Sequence, residues 1–439
     1  MKPSVLMLGW EFPPRINGGL GVACKELGEA LSHYLNVTMV IPRAEEMMTG
    51  GILEVIGIND VVETPPAASV SMPVLRYPAV ATHLHHMEVA QVVANLQQYR
   101  PAAAILEAVP TVRDFRKPET RAIDHLQQPK KDVPYYGPGM IGEVIRFGKQ
   151  SARLATAKGF DIIHAHDWMT CWAGLEIRAK SGKPLVLHIH SLEYDRAGAE
   201  HYRNDVFGLE KFALEQADLV IPVSHYTATI LENIYGVDPA KIFPVHNGVA
   251  PLPAGFAGRK KHFPEKLVTF AGRITRQKGP ARFLEMALQV LAQEDHVRFV
   301  MAGKGDLLPD MIEAVAMLGI GDRFHFTGFL SPEALNDLYA LSDVFVLPSL
   351  SEPFGLSALE AARHGAPCVL SAASGVLEVM PSAPVVPSGD AQGMAREVLS
   401  LLGNEERRAR LAVLGRAEAA RATWDAAALR VIQAYERLG

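Results

Sequence analysis

The sequence predicts an α/β protein built from two doubly wound parallel sheets. Short runs rich in β-branched residues alternate along most of the chain with longer helical patterns, which is typical of βα units on a parallel sheet. The runs are apolar on both alternating sets of positions, as expected of strands covered by helices on both faces. The length of 439 residues corresponds to two or three domains, and 49% hydrophobic residues supply more than one core. Fibrous and disordered classes are therefore excluded.

The first half of the chain contains one set of strands and a region of poor periodicity. A helix is predicted to follow the first strand as far as about Tyr34, and ten prolines between residues 60 and 140 predict an insertion of long loops with up to two helices. We therefore assign residues 1–250 to an N-terminal Rossmann-like domain that carries this insertion. Its predicted strands are 5–10, 36–42, 160–167, 184–190, 217–224 and 241–248.

The second half repeats the pattern after a linker. Residues 251–265 mix proline, glycine and charge without periodicity, which predicts an inter-domain linker. A C-terminal Rossmann-like domain is assigned to residues 266–420, and residues 421–439 are predicted to form a helix that packs back on the first domain. Ser331 and Pro332 favour a helix start, with serine as N-cap and proline at the first helical position. The predicted strands are 266–274, 296–305, 323–330, 343–350, 366–371 and 383–388, and the stretch 404–438 is predicted to be helical.

Composition limits the partners and the compartment. Lys+Arg 43 against Asp+Glu 48 leaves a net charge of −5, so no basic field exists to make nucleic acid the main partner. Cys24, Cys171 and Cys368 are widely spaced and fit neither a disulfide framework nor a structural zinc site, which favours a reducing, cytoplasmic setting. The apolar run Val5–Leu8 is too short for a signal peptide, and no run of about 18 apolar residues predicts a membrane span.

A glycine-rich loop, residues 17–21, follows the first predicted strand and opens a helix. Glycines there let backbone N–H groups approach a phosphate, and the helix N-terminus favours negative charge. A plain tight turn explains the same glycines. A dinucleotide-binding dehydrogenase is a weaker rival, because Cys24 occupies the third glycine position and residues 41–43 lack the acidic residue that binds ribose. The chain has no GxxxxGK[ST] and no GxSxG motif.

Two short motifs of the second half carry more chemistry. Arg273 and Lys278 share the loop 272–279 ahead of a helix, where two cations can neutralise a diphosphate leaving group. A solvated basic turn is the alternative. Glu352 and Glu360 can accept hydrogen bonds from hydroxyl groups at opposite ends of one ligand. Glu360 is expected about two turns into a helix that starts near Glu352. A helix-dipole role for Glu352 and a surface role for Glu360 are the alternatives.

In this order, the segments resemble retaining glycosyltransferases of the GT-B fold, the family-four and glycogen synthase-like group that includes sucrose synthases and mannosyltransferases. The resemblance spans the chain and implies two Rossmann-like domains facing a central cleft, with the acceptor on the N-terminal side and a nucleotide-sugar bound by the C-terminal domain. The matching segments are GWEFPPRINGGLG at 9–21, HAHDW at 164–168, VLHIHSLE at 186–193, VSHYT at 223–227, HNGV at 246–249, GRITRQKG at 272–279 and EPFGLSALE at 352–360.

The resemblance also implies roles for single residues. Arg273 and Lys278 are expected to bind the donor diphosphate and to stabilise the departing nucleotide. Glu352 is expected to hydrogen-bond the donor sugar and Glu360 the ribose, while His190 lies beside the reacting carbon. The expected catalytic residues are thus His190, Arg273, Lys278 and Glu352. Further donor contacts are expected from the backbone N–H groups of Gly18, Gly19, Gly355 and Leu356 and from the base-pocket segment 327–330, which ends at Leu330.

The resemblance implies chemistry without a cofactor or a metal ion. In similar enzymes the acceptor hydroxyl attacks on the leaving-group side and passes its proton to the diphosphate, so no protein nucleophile is needed. No Asp-x-Asp pair, the metal-chelating signature of the other main glycosyltransferase fold, occurs in the chain. The doublets His164/His166 and His188/His190 have a strand spacing that could suggest zinc, but no cysteine or carboxylate completes such a site. His164 and His188 are therefore interpreted as core or supporting residues.

The opening segment 9–21, with Glu11, favours a glycogen/starch synthase-like enzyme that transfers glucose from ADP- or UDP-glucose to a glucan or oligosaccharide. Two departures leave the nucleotide and the acceptor open: Ile16 stands where bacterial glycogen synthases carry lysine, and Ala250 stands where aspartate is common. One alternative is a transferase for a lipid-linked or cell-surface glycan. Such enzymes often contact anionic membranes through a basic amphipathic helix, and the nearly neutral stretch 84–100 weakens this alternative without removing it. The other is a non-catalytic GT-B protein that binds carbohydrate.

Overall fold

The computed structural model describes residues 2–13, 18–44, 53–58, 140–199, 201–253, 256 and 261–439. These residues form two six-stranded parallel sheets, which confirms the predicted fold class. The predicted proline-rich insertion lies outside the described residues as far as position 139, and so does part of the predicted linker.

The first sheet has the strand order β3-β2-β1-β4-β5-β6, and all its strands are parallel. This order reverses between β1 and β4, which is where doubly wound sheets bind ligands. The strands are β1 (Ser4–Leu8), β2 (Asn36–Ile41), β3 (Glu54–Gly57), β4 (Ile162–His166), β5 (Leu185–Ile189) and β6 (Leu219–Pro222). The described helices are α1 (Gly19–Ser32), α2 (Met140–Ala155), α3 (Asp167–Ser181), α4 (Glu193–Ala197), α5 (Asp205–Gln216) and α6 (His225–Ile230).

The second sheet has the same topology, β12-β11-β10-β7-β8-β9. Its strands are β7 (Lys266–Ala271), β8 (Val297–Ala302), β9 (Phe324–Gly328), β10 (Val344–Leu347), β11 (Cys368–Ser371) and β12 (Val385–Val386). Its helices are α7 (Pro280–Leu291), α8 (Leu308–Met317), α9 (Pro332–Leu341), α10 (Leu356–His364) and α11 (Ala391–Gly403), followed by α12 (Glu405–Arg421) and α13 (Trp424–Tyr435). The Ser331 hydroxyl accepts the Ala334 N–H at 3.3 Å, so the predicted helix start is confirmed.

Burial on both faces explains why the central strands lack polar alternation. Every residue of β4 and β5 is buried. Ile163 and Leu187 belong to the core on one face of the sheet, and Ile162 and Val186 belong to the core on the other. Both strands therefore need two apolar faces, and the histidines within them are the exceptions that call for a separate account.

The prediction of a strand over residues 241–248 is wrong. The segment runs alongside β6, where the Phe243 N–H donates to the Val220 carbonyl at 2.9 Å. The Val245 N–H likewise donates to the Pro222 carbonyl at 2.9 Å, but the pairing amounts to an isolated bridge between Val220 and Ile242 and not to a strand. The 3-10 turn Pro239–Lys241 occupies the start of the predicted run, and Pro244 removes one N–H from the rest of it.

The C-terminal helices connect the two halves. Helix α12 packs against α10 of the second half, whereas α13 packs against α1 of the first. The chain crosses at residues 422–423, where the Val249 N–H donates to the Ala422 carbonyl at 2.8 Å. We propose that each sheet with its helices is a separate domain, and that the linker 251–265 and this crossing connect the two. Among the described residues, no helix has both the length and the apolar character needed to cross a membrane.

Candidate active site

Loops at the carboxyl ends of both sheets meet in a cleft. A β-carbon placed at Gly18 would lie 3.7 Å from the Arg273 Cδ atom, and one placed at Gly19 would lie 3.2 Å from the Leu356 Cδ1 atom. Four residues predicted from two distant parts of the sequence therefore face one another. Larger side chains at the two glycines would fill the space between the halves.

The loop 272–279 is held tightly against the end of β10. Its 3-10 turn, Arg276–Lys278, ends at Gly279, which has φ of 67°. A β-carbon at Gly279 would lie 2.3 Å from the Pro348 carbonyl oxygen, so only glycine permits this approach. The approach brings the loop that carries both predicted cations next to the segment that carries Glu352.

Gln277 links these two loops, and the sequence analysis missed it. Its side chain is buried and its Nε2 group donates to the Ser351 carbonyl at 3.1 Å. Its backbone carbonyl accepts the Leu350 N–H at 2.9 Å, and its Oε1 atom accepts from the Arg273 guanidinium at 3.4 Å. Gln277 therefore orients Arg273 relative to the second loop. Nothing in local composition distinguishes this glutamine from an exposed one.

Lys278 and Glu352 form a largely buried ion pair. The Lys278 Nζ group donates to the Glu352 Oε2 atom at 2.6 Å, and the Ser349 hydroxyl donates to the same oxygen at 2.9 Å. Glu352 is 4% exposed. Its backbone is fixed by bonds to Ala373 at 2.8 Å and Gly375 at 2.9 Å. The carboxylate is therefore held in one position, with its charge balanced by a single lysine.

Helix α10 begins later than the sequence analysis predicted. Gly355, with φ of 115°, precedes it, and a β-carbon there would lie 3.0 Å from the Leu347 side chain. Because the helix starts at Leu356, Glu360 lies about one turn along it, and the prediction of two turns is corrected. The Tyr339 hydroxyl donates to Glu360 at 3.0 Å, and burial raises the pKa of the Glu360 carboxyl.

The loop after β8 is a second feature that the sequence analysis missed. A β-carbon at Gly303 would lie 1.9 Å from the Gly272 carbonyl oxygen, and one at Gly305 would lie 2.2 Å from that of Ile274. Asp306 follows, where burial raises its pKa and the Arg273 charge opposes this shift. The available signal was two glycines at the end of the predicted strand 296–305. This loop buttresses Arg273 from the side opposite Glu352's loop.

Leu330 follows β9 and is half-buried against the apolar core that includes Leu338 and Leu359. Phe329 beside it is 53% exposed. Strand β9 pairs with β8, so the segment 327–330 lies at the same edge of the sheet as the loop after β8. No interaction between Leu330 and Arg273 or Glu360 is seen in the described part of the chain.

His190 lies at the carboxyl end of β5, and the adjacent aspartate shapes the backbone there. The Asp167 Oδ1 atom accepts the N–H groups of His190 at 2.7 Å and Ser191 at 3.2 Å. Asp167 has φ of 56°, a left-handed conformation that is uncommon outside glycine but that aspartate tolerates better than most residues. Burial raises the pKa of this carboxyl to about 7, although Arg196 opposes the shift. Burial lowers the pKa of His190 to about 3.

His190 is the outermost of four neighbouring imidazoles, which we name the histidine row: His164, His166, His188 and His190. One nitrogen from each of the first three lies within 4.8 Å of the others, so these residues were considered as a metal site. The His166 ring, however, stacks on those of His164 and His188 at interplanar angles of 21° and 23°. Imidazole lone pairs lie in the ring plane, so nearly parallel stacked rings do not direct them to one point. The geometry does not favour a metal ion.

Contacts between the two halves converge on the loop before α10. The Ser351 hydroxyl donates to Asp195 and bonds the Tyr226 hydroxyl at 2.9 Å. The Ser224 hydroxyl donates to the Pro353 carbonyl at 2.6 Å. Glu378 accepts two backbone N–H groups at the start of α6. These contacts hold the Glu352 loop against the first half, and the sequence analysis identified none of them.

Comparison with known proteins identifies glycosyltransferase relatives along most of the chain. Residues 109–251 match the model described as Glycosyltransferase Family 4, and residues 257–417 match the model Glycosyl transferases group 1. The chain is 30% identical over 302 residues to a D-inositol 3-phosphate glycosyltransferase of Xylanimonas cellulosilytica, covering 63% of this chain and 72% of that protein. It is 25% identical over 421 residues to a glycogen synthase of Mycobacterium tuberculosis, covering 93% and 89% respectively.

A solved structure supports the fold. The catalytic domain of Starch Synthase IV from Arabidopsis thaliana, bound to ADP and acarbose, superposes with a TM-score of 0.65 at 16% identity, covering 99% of each chain. The strand order of both sheets, the facing loops and the matched models agree. The chain therefore belongs to the GT-B glycosyltransferases of the family 4, group 1 type.

Proposed function

We propose that the protein is a retaining hexosyltransferase that moves glucose from ADP- or UDP-glucose to a glucan or oligosaccharide, without a metal ion. The observation that carries the proposal is the approach of Gly18 and Gly19 to Arg273 and Leu356 across the cleft. A diphosphate between them would meet backbone N–H groups on one side and a guanidinium on the other.

The two cations have complementary tasks in this proposal. Arg273, positioned by Gln277, offers a planar fork to two phosphate oxygens, whereas Lys278 offers a point charge. Cleavage of the bond between sugar and diphosphate builds negative charge on the phosphate, and fixed cations lower the energy of that transition state. The proton of the attacking hydroxyl passes to the departing phosphate oxygen, so the new glycosidic bond forms on the face that the nucleotide leaves.

The remaining residues recognise the rest of the donor. Glu352, held by Lys278 and Ser349, accepts hydroxyl groups of the sugar. Glu360, oriented by Tyr339, accepts those of the ribose. Leu330 provides apolar contact for the base, and His190 lies beside the reacting carbon. Closure of the two halves on the donor excludes water, which would otherwise compete with the acceptor.

The acceptor class is supported by two comparisons. The Mycobacterium tuberculosis relative is named a glycogen synthase, and the Arabidopsis structure holds ADP and acarbose. The Xylanimonas relative is named for transfer to D-inositol 3-phosphate, so a phosphorylated cyclitol is a second candidate acceptor. The membrane-associated alternative depends on residues 84–100, which lie outside the described residues.

A donor-release assay tests the proposal. UDP-, ADP- and GDP-glucose are each incubated with the protein alone and with glycogen, malto-oligosaccharide or inositol 3-phosphate. We expect acceptor-dependent release from one glucose donor with a glucan. Binding of glucan without turnover of any donor would indicate a non-catalytic carbohydrate-binding protein. Salt-sensitive co-sedimentation with anionic vesicles, with no turnover on soluble acceptors, would favour a lipid-linked acceptor.

Arg273→Ala is the sharpest variant. We expect kcat to fall about a hundredfold or more, because charge stabilisation of the transition state is lost. Arg276→Ala is the matched control: Arg276 is exposed in the same turn, and its nearest bond, to the Ala197 carbonyl, is 3.5 Å long. Equal turnover by wild type and Arg273→Ala would contradict the assigned role.

A further inference from the structure

The histidine row extends from the interior of the first half to the cleft. His164, His166 and His188 are at most 1% exposed, and His190 is partly exposed where β5 ends. The β4–β5 register pairs His166 with His188, so all four side chains project from the same face of the sheet. No carboxylate hydrogen-bonds any of the four rings in the described part of the chain. Such a row of imidazoles inside an apolar core needs a physical explanation.

Hydrogen bonds divide the row into two pairs. In the inner pair, His164 Nε2 lies 3.1 Å from His188 Nδ1, and His164 Nδ1 bonds the Tyr435 hydroxyl. In the outer pair, His166 Nδ1 lies 2.9 Å from His190 Nε2. Burial lowers the pKa of every ring, so each is neutral at physiological pH and carries one N–H and one bare nitrogen.

Two unpaired nitrogens determine which nitrogen carries each proton. His166 Nε2 and His188 Nε2 are buried and have no hydrogen-bond partner within the described residues. In protein interiors, a buried N–H without an acceptor is rarer than a buried acceptor without a donor. Both Nε2 atoms are therefore bare, and both protons are on Nδ1. His188 then donates to His164, and His166 donates to His190 Nε2.

The direction of the outer bond decides what His190 offers to a ligand. Since His190 Nε2 accepts from His166, the proton of His190 is on Nδ1. In the described part of the chain Nδ1 has no hydrogen-bond partner, and His190 as a residue is partly exposed at the cleft edge. We propose that His166 is a positioning residue that fixes His190 as an N–H donor to an oxygen of the bound nucleotide-sugar. This use of the donor rests on the proposed function, whereas the proton position does not.

The first test is the proton position in the wild-type enzyme without ligand. Long-range 1H–15N correlation spectra of protein labelled with 15N-histidine distinguish protonated from bare ring nitrogens, and the His190→Asn spectrum identifies the His190 signals. We expect Nδ1 of His190 to be protonated and Nε2 to be bare. A proton on Nε2 would overturn the proposal. So would a stoichiometric metal ion in the purified protein whose chelation shifts the His190 signals.

Variants then separate positioning from packing. His166→Leu removes the donor, whereas His166→Asn keeps an N–H close to the position of Nδ1. His164→Leu is the matched control, because His164 is equally buried on the same strand but bonds Tyr435 and His188 instead of His190. We expect His166→Leu to give a mixture of His190 tautomers and kcat at least about tenfold lower, with a smaller change in donor KM.

The same variants distinguish the possible failures. We expect His166→Asn to regain most of the lost kcat and the wild-type His190 spectrum, and His164→Leu to leave that spectrum unchanged. Equal changes in the His190 spectrum of the His164 and His166 variants would refute positioning by His166. If the proton is on Nδ1 but no nucleotide-sugar is turned over, the proposed function fails and the inferred tautomer remains. If His166→Leu does not fold, the wild-type spectrum alone decides.

Discussion

Replacing His164 by asparagine tests whether the interior of the first half holds its imidazoles uncharged. His164 is fully buried, and burial lowers its pKa to about 3. The same group has a pKa of about 6.5 in an unfolded chain. As the pH falls below 6.5, the unfolded state therefore binds a proton that the folded state does not bind. The free energy of unfolding is highest above pH 6.5 on this account and decreases progressively towards pH 3. Between pH 7.5 and 5.5 this one side chain costs about 1.4 kcal/mol of unfolding free energy.

The wild-type protein alone will not reveal this loss, because buried carboxyls act in the opposite sense. Burial raises the pKa of Asp167 and of Glu210 to about 7. Their folded forms bind protons first, so each adds about 2 kcal/mol as the pH falls from 7.5 to 5.5 and loses it again as the pH rises. The fully buried His164, His166 and His188 together cost about 4 kcal/mol over that interval. The two contributions have opposite signs over the same pH interval, so only the difference between variant and wild type isolates the imidazole.

Urea unfolding followed by tryptophan fluorescence provides the measurement. All four tryptophans, Trp10, Trp168, Trp172 and Trp424, pack in the cores of the first sheet, so the signal reports on the half that contains His164. The change in unfolding free energy between pH 7.5 and 5.5 should differ by about 1.4 kcal/mol between His164→Asn and wild type. His201→Asn controls for loss of an exposed imidazole. An identical change in wild type and His164→Asn would refute the reasoning.

Three further predictions follow from the same geometry. Asp167→Asn should fold, because asparagine tolerates φ of 56°. Urea unfolding should show that the variant lacks the increase of about 2 kcal/mol in unfolding free energy that Asp167 contributes as the pH falls from 7.5 to 5.5. The same increase in unfolding free energy on acidification in variant and wild type would contradict the raised pKa of Asp167. Gly355→Ala should cost more than about 1 kcal/mol in thermal unfolding, because a β-carbon meets Leu347 at 3.0 Å. Gly319→Ala, at φ of 69° with open space around it, isolates the conformational part of that cost, and an equal loss in both would exclude the steric part. Gln277→Leu should lower kcat at least about tenfold, because Arg273 loses its orienting partner. Wild-type steady-state kinetics would show that Arg273 needs no such support.

The two sheets were predictable because each parallel βα unit has a sequence pattern that can be recognised without knowledge of distant residues. A run that is apolar on both faces and followed by a helical pattern needs no knowledge of distant residues. The exceptions have local causes. Strand β3, residues 54–57, precedes the proline-rich stretch and is only four residues long, so it carries little pattern. The run 241–248 has strand composition but lies beside β6 with a turn and a proline inside it.

The site was predictable at the level of loops and not at the level of contacts. Parallel strands place all their carboxyl ends at one edge, which is why Gly18 and Arg273 could be assigned to one cleft. The bond between Gln277 and Ser351 joins positions 74 residues apart, and that between Ser351 and Asp195 joins positions 156 apart. The first bond depends on how the loops after β7 and β10 pack, and the second depends on how the two halves dock. No local pattern encodes either.

The ion pair between Lys278 and Glu352 has a consequence for donor recognition. A lone ammonium or carboxylate in this partly dry cleft would be costly, and the 2.6 Å pair removes that cost before any ligand arrives. In the function proposed above, a diphosphate oxygen at Lys278 would take part of the bond that the lysine makes to Glu352, and the glutamate would gain capacity to accept a sugar hydroxyl. Phosphate and sugar recognition would then be linked through one hydrogen bond. A nucleoside diphosphate without its sugar would draw Lys278 away and leave the 4%-exposed carboxylate of Glu352 with Ser349 as its remaining side-chain donor. Under the proposed function we therefore expect the intact nucleotide-sugar to satisfy the site better than its product does.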